Sequence, residues 1–131
     1  MRLLLDTNAY AALATGDGAT AGLVRNAEEL LMSVIVLGEL RYGFRYGTQL
    51  EKNERMLTDF LSRHFVRCVT VTEVTADRYG RIASSLRQRG RLIPQNDIWI
   101  AAHAMEHGVD LCSFDNHFEH VNGLVWVKPA G

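Results

Sequence analysis

Four carboxylates in this sequence stand where divalent-cation chemistry could be done: Asp6, Glu39, Asp97 and Asp115. Asp6 closes the apolar run Leu3-Leu4-Leu5, and Asp115 follows a second such run, Val109 to Ser113, by two residues. Asp97 opens a segment in which Ile98, Ala101, Ala102 and Met105 recur at helical spacing. Glu39 lies inside Val34-Ile35-Val36-Leu37-Gly38-Glu39-Leu40, on one helical face with Ile35 and Tyr42. Each acid also has an ordinary reading. Asp6 and Asp97 fit helix N-caps, Asp115 fits a turn before Asn116, and Glu39 fits an ion pair with Arg41 or Arg45. Glu39 resists that reading most, because a carboxylate on an apolar helix face is costly unless it is paired or bound to a metal. Four acids gathered at one place would repel one another, since neighbouring carboxylates cannot all ionise without compensation. Mg²⁺ or Mn²⁺, which prefer oxygen ligands, are the natural compensation. Such a site suits phosphodiester hydrolysis by a water that the ion activates.

The elements that must position these acids follow from the hydrophobic pattern. Leu3–Leu5, Leu30–Met32, Val66–Val71, Val109–Ser113 and Leu124–Val127 are short, continuous apolar runs, the mark of strands buried on both faces. Between them lie helical patterns over Ala9–Leu13, Thr20–Ala27, Val34–Phe44 (with Ser33 as its cap), Glu51–Ser62, Val74–Arg89 and Asp97 to Gly108, which stops the last one. Arg91–Asn96 reads as a loop. Strand–helix alternation implies an α/β sandwich with a parallel sheet of about five strands flanked by helices. In such sheets functional groups collect at the carboxyl ends of the strands. Asp6, Asp97 and Asp115 are all expected at that edge, with Glu39 on a neighbouring helix.

The length of 131 residues and 47% apolar content suit one domain, 1–131, with a real core. No run is long enough for a membrane span, and the apolar N-terminal run is too short for a signal peptide, so a cytoplasmic protein is expected. Cys68 and Cys112 sit in strand-like runs and read as buried thiols rather than a disulfide or metal pair. The net charge of -1 does not advertise nucleic-acid binding, but it is unevenly spread. Residues 41–91 hold eleven Lys/Arg against five Asp/Glu, between acidic ends. That basic middle fits either a phosphate-facing surface or ordinary solvated helix faces.

Taken in order, Leu4-Leu5-Asp6-Thr7-Asn8, Gly38-Glu39-Leu40-Arg41-Tyr42-Gly43, Asn96-Asp97-Ile98-Trp99-Ile100-Ala101-Ala102 and Cys112-Ser113-Phe114-Asp115-Asn116-His117-Phe118 resemble the four acidic motifs of PIN-domain ribonucleases, and the layout resembles their small stand-alone members, the VapC-type toxins of toxin–antitoxin pairs. The resemblance implies a PIN-like three-layer sandwich and a Mg²⁺- or Mn²⁺-dependent endoribonuclease. It also implies an RNA substrate, a small inhibitory antitoxin and a homodimer. By the match, Asp6, Glu39, Asp97 and Asp115 form the acidic metal site, with Asp6 and Asp97 as direct ligands, and Thr7 and Ser113 place hydroxyls beside it. Many relatives have Thr-x-Asp where this chain has Ser113-Phe114-Asp115, and the hydroxyl is kept. Arg41, Arg45, Arg78, Arg81, Arg87, Arg89 and Arg91 are candidates to grip RNA phosphates. Tyr42, Phe44, Tyr46, Met56, Leu57 and Phe60 would give an apolar surface for a protein partner, and His117 and His120 read as exposed turn residues.

Other readings of an acidic pocket are a Mg²⁺-dependent phosphatase, a non-catalytic binding module, or an RNA-processing nuclease without a toxin role. A phosphatase with an N-terminal nucleophilic aspartate usually carries a second Asp two residues on, where this chain has Asn8. A binding module does not need Glu39 within a helix.

Overall fold

The computed structural model describes residues 1–130. Its elements run β1 (Arg2–Leu5), α1 (Thr7–Ala14), α2 (Gly18–Arg25), β2 (Glu29–Ser33), α3 (Val34–Tyr46), α4 (Leu50–Leu61), β3 (Val66–Val69), α5 (Glu73–Gln88), α6 (Gln95–His107) and β4 (Asp110–Cys112). A 3₁₀ turn over Asn116–His120 and β5 (Trp126–Val127) follow. All four strand pairings are parallel, and the order across the sheet is β3-β2-β1-β4-β5. The apolar runs explain this: Leu3, Leu4, Leu5, Leu30, Leu31, Met32, Leu111 and Cys112 are all fully buried between helical layers. Truncating one of these leucines to alanine removes about 2–5 kcal/mol.

The expected elements are present, with shifts at their ends that have local causes. β3 stops at Val69 rather than Val71 because the Thr70 carbonyl accepts from His103 Nε2 at 3.0 Å instead of continuing the ladder. α6 starts at Gln95, so Asp97 lies in its first turn and does not cap it; Pro94 holds the cap position with no side-chain bond. Gly108 ends α6 at φ 64°, a left-handed conformation that favours glycine. Cys68 is exposed, against the expectation of a buried thiol, because β3 is an edge strand that fully buries Val69 alone. Cys112 is buried, and that burial pushes its thiol up to about 12.

One buried polar residue ties the sheet edge together. His103 is wholly buried on α6. Its Nε2–H donates to the Thr70 carbonyl, which fixes the tautomer, so Nδ1 accepts from Ser33 Oγ at 2.8 Å. Ser33 Oγ also accepts from the Ile35 N–H, capping α3. Burial holds the imidazole below its usual range. The unfolded chain therefore binds a proton that the folded one excludes, and this stabilising contribution is lost as pH falls below about 6.5. We expect the urea midpoint of the native chain to drop relative to a His103→Gln variant between pH 6.5 and 5. Parallel curves for the two proteins would refute this.

Candidate active site

The sheet's winding fixes where a site can form. From β1 the chain builds outward to β2 and β3 on one side, then returns to place β4 and β5 on the other. The connections leave β1 and β4 in opposite directions, which opens a crevice beyond their carboxyl ends. Asp6 follows β1 directly, and Ser113 and Asp115 follow β4. The first turn of α6 and the middle of α3 supply Asp97 and Glu39. All four acids line one cleft of about 530 Å³, together with Thr7, Asn8, Pro94, Gln95 and Asn96.

Asp6 is the helix cap its sequence allowed, and it also lines the cleft. Its Oδ1 accepts from the Ala9 N–H at 2.9 Å, capping α1, and its Oδ2 accepts from Ser113 Oγ at 2.5 Å. Only 5% of Asp6 is exposed. Burial raises its pKa against those two hydrogen bonds, and Asp115 and Glu39 raise it further. Asp97 is pushed up to about 6, first by burial, then by Glu39, Asp6 and Asp115, with His117 acting the other way. Glu39 makes no ion pair with Arg41 or Arg45; Arg41 lies 3.9 Å from Glu54 instead. Thr7 Oγ1 donates to Glu39 Oε1 at 2.5 Å, and Asn96 Nδ2 donates to Oε2 at 3.3 Å. Thr7 and Ser113 are thus hydroxyls that each orient a carboxylate. Ser113 Oγ also accepts from the Asp115 N–H at 3.0 Å, so it couples β1 to the turn carrying Asp115. We expect Ser113→Ala to cost roughly 1.5–3 kcal/mol in urea melts, the scale for a hydrogen bond to a buried charge. A cost within experimental error would mean that water replaces the hydroxyl.

His117 was not legible as a site residue. It sits in the 3₁₀ turn with only 24% of its side chain exposed, Nε2 2.9 Å from Asp97 Oδ2 and Nδ1 3.2 Å from Asp115 Oδ1. Nε2 is buried and makes no hydrogen bond, because its N–H axis does not point at the neighbouring oxygen. The tight group Asp97, Asp115 and His117 brings one donor atom from each within 4.8 Å of the others. Buried, raised Asp6 and Asp97 in one cleft and an orphaned ring nitrogen are what a divalent cation would relieve, so the donor set fits one.

The seven arginines are distributed differently. None lines the cleft among the described residues. Arg81 pairs with Asp77 at 2.9 Å, and Arg89 bonds Ser85 and the His120 carbonyl. Arg41, Arg45, Arg87 and Arg91 are exposed, and Arg78 is partly covered. The apolar set between α3 and α4 also divides. Tyr42 and Tyr46 are 70% and 83% exposed, whereas Met56 and Phe60 line a groove of about 330 Å³ with Tyr10, Leu13 and Val24.

A parallel five-stranded sheet with acids gathered at its carboxyl edge is the architecture of the PIN domain, and the model of that family matches residues 3–124. The chain belongs to the PIN-domain family and, within it, to the VapC ribonucleases. It is 37% identical over 101 residues to ribonuclease VapC2 of Haemophilus influenzae, covering 76% of this chain and 75% of the relative. It is 31% identical over 104 residues to ribonuclease VapC2 of Rickettsia felis, covering 79% and 76%. Among solved structures, VapBC-1 from nontypeable Haemophilus influenzae superposes with a TM-score of 0.86 at 28% identity, covering 98% of each chain. VapBC2 from Rickettsia felis, bound to a DNA fragment from its promoter, gives 0.85 at 27% identity, again covering 98% of each chain.

Proposed function

We propose that this chain is a divalent-metal-dependent endoribonuclease, the toxin of a VapBC-type pair, acting as a single PIN domain in the cytoplasm. The observation that carries the reading is the cleft in which Asp6, Glu39, Asp97 and Asp115 converge. Asp97 and Asp115, with Asp6 and Glu39 directly or through water, would hold Mg²⁺ or Mn²⁺. When bound, such an ion supplies positive charge to the phosphoryl oxygens and lowers the pKa of water. The chain's own residues do the positioning. Ser113 and the Ala9 N–H fix Asp6, and Thr7 and Asn96 fix Glu39. Asn8, Gln95 and Asn96 present neutral amides along the wall, suited to a ribose or base edge. With water as the attacking group and the 3′-oxygen as the leaving group, the products carry 5′-phosphate and 3′-hydroxyl ends.

Incubation with structured RNA, with and without EDTA, followed by end-group analysis, tests this. Cleavage in EDTA, or 2′,3′-cyclic phosphate ends, would sink the reading. The toxin assignment rests on the VapC relatives and on the likeness to the VapBC structures. The apolar groove of Tyr10, Leu13, Val24, Met56 and Phe60 is the face that suits an antitoxin helix. Tyr42 and Tyr46, exposed on α3, suit a second copy in a homodimer.

A further inference from the structure

We propose that His117 is itself a metal ligand of this site, and that its nitrogen tilts the site toward Mn²⁺ over Mg²⁺. The inference rests on the metal-nuclease reading and goes beyond its four acids.

The geometry separates two roles for this ring. A protonated imidazole clamping Asp97 and Asp115 would aim its N–H groups at their oxygens. Nε2 does not: it lies 2.9 Å from Asp97 Oδ2 but forms no hydrogen bond with it. A ligating nitrogen points its lone pair beside the neighbouring oxygen, at an ion the two atoms share. Two donors each about 2.1 Å from one ion and at right angles lie about 3.0 Å apart. The observed separation of 2.9 Å has that value, and Nε2 makes no hydrogen bond across it. Asp115 lies 3.2 Å from Nδ1, so the imidazole sits between the two carboxylates.

The local fold holds the ring in place. The 3₁₀ turn Asn116–His120 brings position 117 back over the acid two residues before it. The neighbouring Phe118 is 1% exposed and meets the His117 ring edge-on at 4.7 Å, so the imidazole leans on an anchored core side chain. Chemistry then sets the preference. Imidazole nitrogen suits first-row transition ions, whereas Mg²⁺ takes oxygen and keeps its waters. Mn²⁺ accepts both donor types, so it fits a mixed site of two or more carboxylates and one nitrogen.

The test uses the whole chain loaded with Mn²⁺ and pulsed electron paramagnetic resonance, which reads coupling to a directly bound nitrogen. Coupling should be present in the native protein, persist in His120→Gln and vanish in His117→Gln. By calorimetry, the ratio of Mn²⁺ to Mg²⁺ affinity should fall about tenfold or more in His117→Gln. The native spectrum decides without any variant. Mn²⁺ bound with no nitrogen coupling overturns the role of His117 and leaves the carboxylate site standing, as does coupling that survives His117→Gln. No Mn²⁺ binding, with or without RNA, overturns both.

Discussion

Replacing Asp97 by asparagine should abolish RNA cleavage, by at least about 10²–10³-fold, and leave the chain folded. The carboxylate is at once the acid closest to His117 and the one pushed up to about 6, first by burial and then by Glu39, Asp6 and Asp115. Asparagine keeps the shape and one oxygen but loses the charge that a divalent ion needs. The same change stabilises the metal-free chain. With its pKa raised to about 6, Asp97 binds a proton in the folded state that the unfolded chain has already released. Stability therefore falls as pH rises from the usual aspartate range to about 6, and the asparagine variant lacks that fall. Its melting temperature at pH 7 should exceed that of the native chain by a few degrees. A variant that still cleaves at near-native rate, or that melts well below the native protein, contradicts this placement of Asp97. The slope from Asp97 opposes that from His103 over part of the same range, so each must be read as a difference between native and variant.

Metal addition has the second large effect. The folded cleft gathers acids that repel, and the unfolded chain disperses them, so a divalent ion binds the folded state selectively. At a concentration about 100 times its Kd, linkage gives about 2.7 kcal/mol. For a chain of this size that moves Tm up by roughly 10 °C. Differential scanning fluorimetry against Mn²⁺ and Mg²⁺ reads the shift directly. Sodium chloride at equal ionic strength corrects for screening, and the shift should shrink in Asp97→Asn. No shift beyond the screening control, in native protein and with either ion, would count against a preformed metal site.

Most of the scaffold was legible because its strands are unbroken apolar runs, and a run such as Leu3-Leu4-Leu5 can be satisfied only with cover on both faces. That the acids could meet was legible because Asp6 and Asp115 follow such runs, Asp97 opens a helix and Glu39 breaks an apolar helix face. Asp6 shows why single positions mislead: cap and site residue are the same carboxylate, using different oxygens. His117 was hidden because a short 3₁₀ turn has no periodicity to reveal which way a ring faces. Asn96 was quoted within a motif, but its bond to Glu39 joins residues 57 apart, and no local pattern carries it. Cys68 misled because an apolar run does not say whether its strand lies at the edge or the centre of a sheet.

The winding order of the sheet also sets a schedule. The strand made first, β1, lies at the centre, and its neighbour β4 is among the last to be made. The bond from Ser113 to Asp6 spans 107 residues. While a ribosome is still threading out the middle of the chain, Asp6 and Glu39 exist but Asp97 and Asp115 do not. A nascent chain of this kind carries no competent cleft beside the RNA-rich machine that makes it. It becomes dangerous only once nearly all of its sequence has emerged.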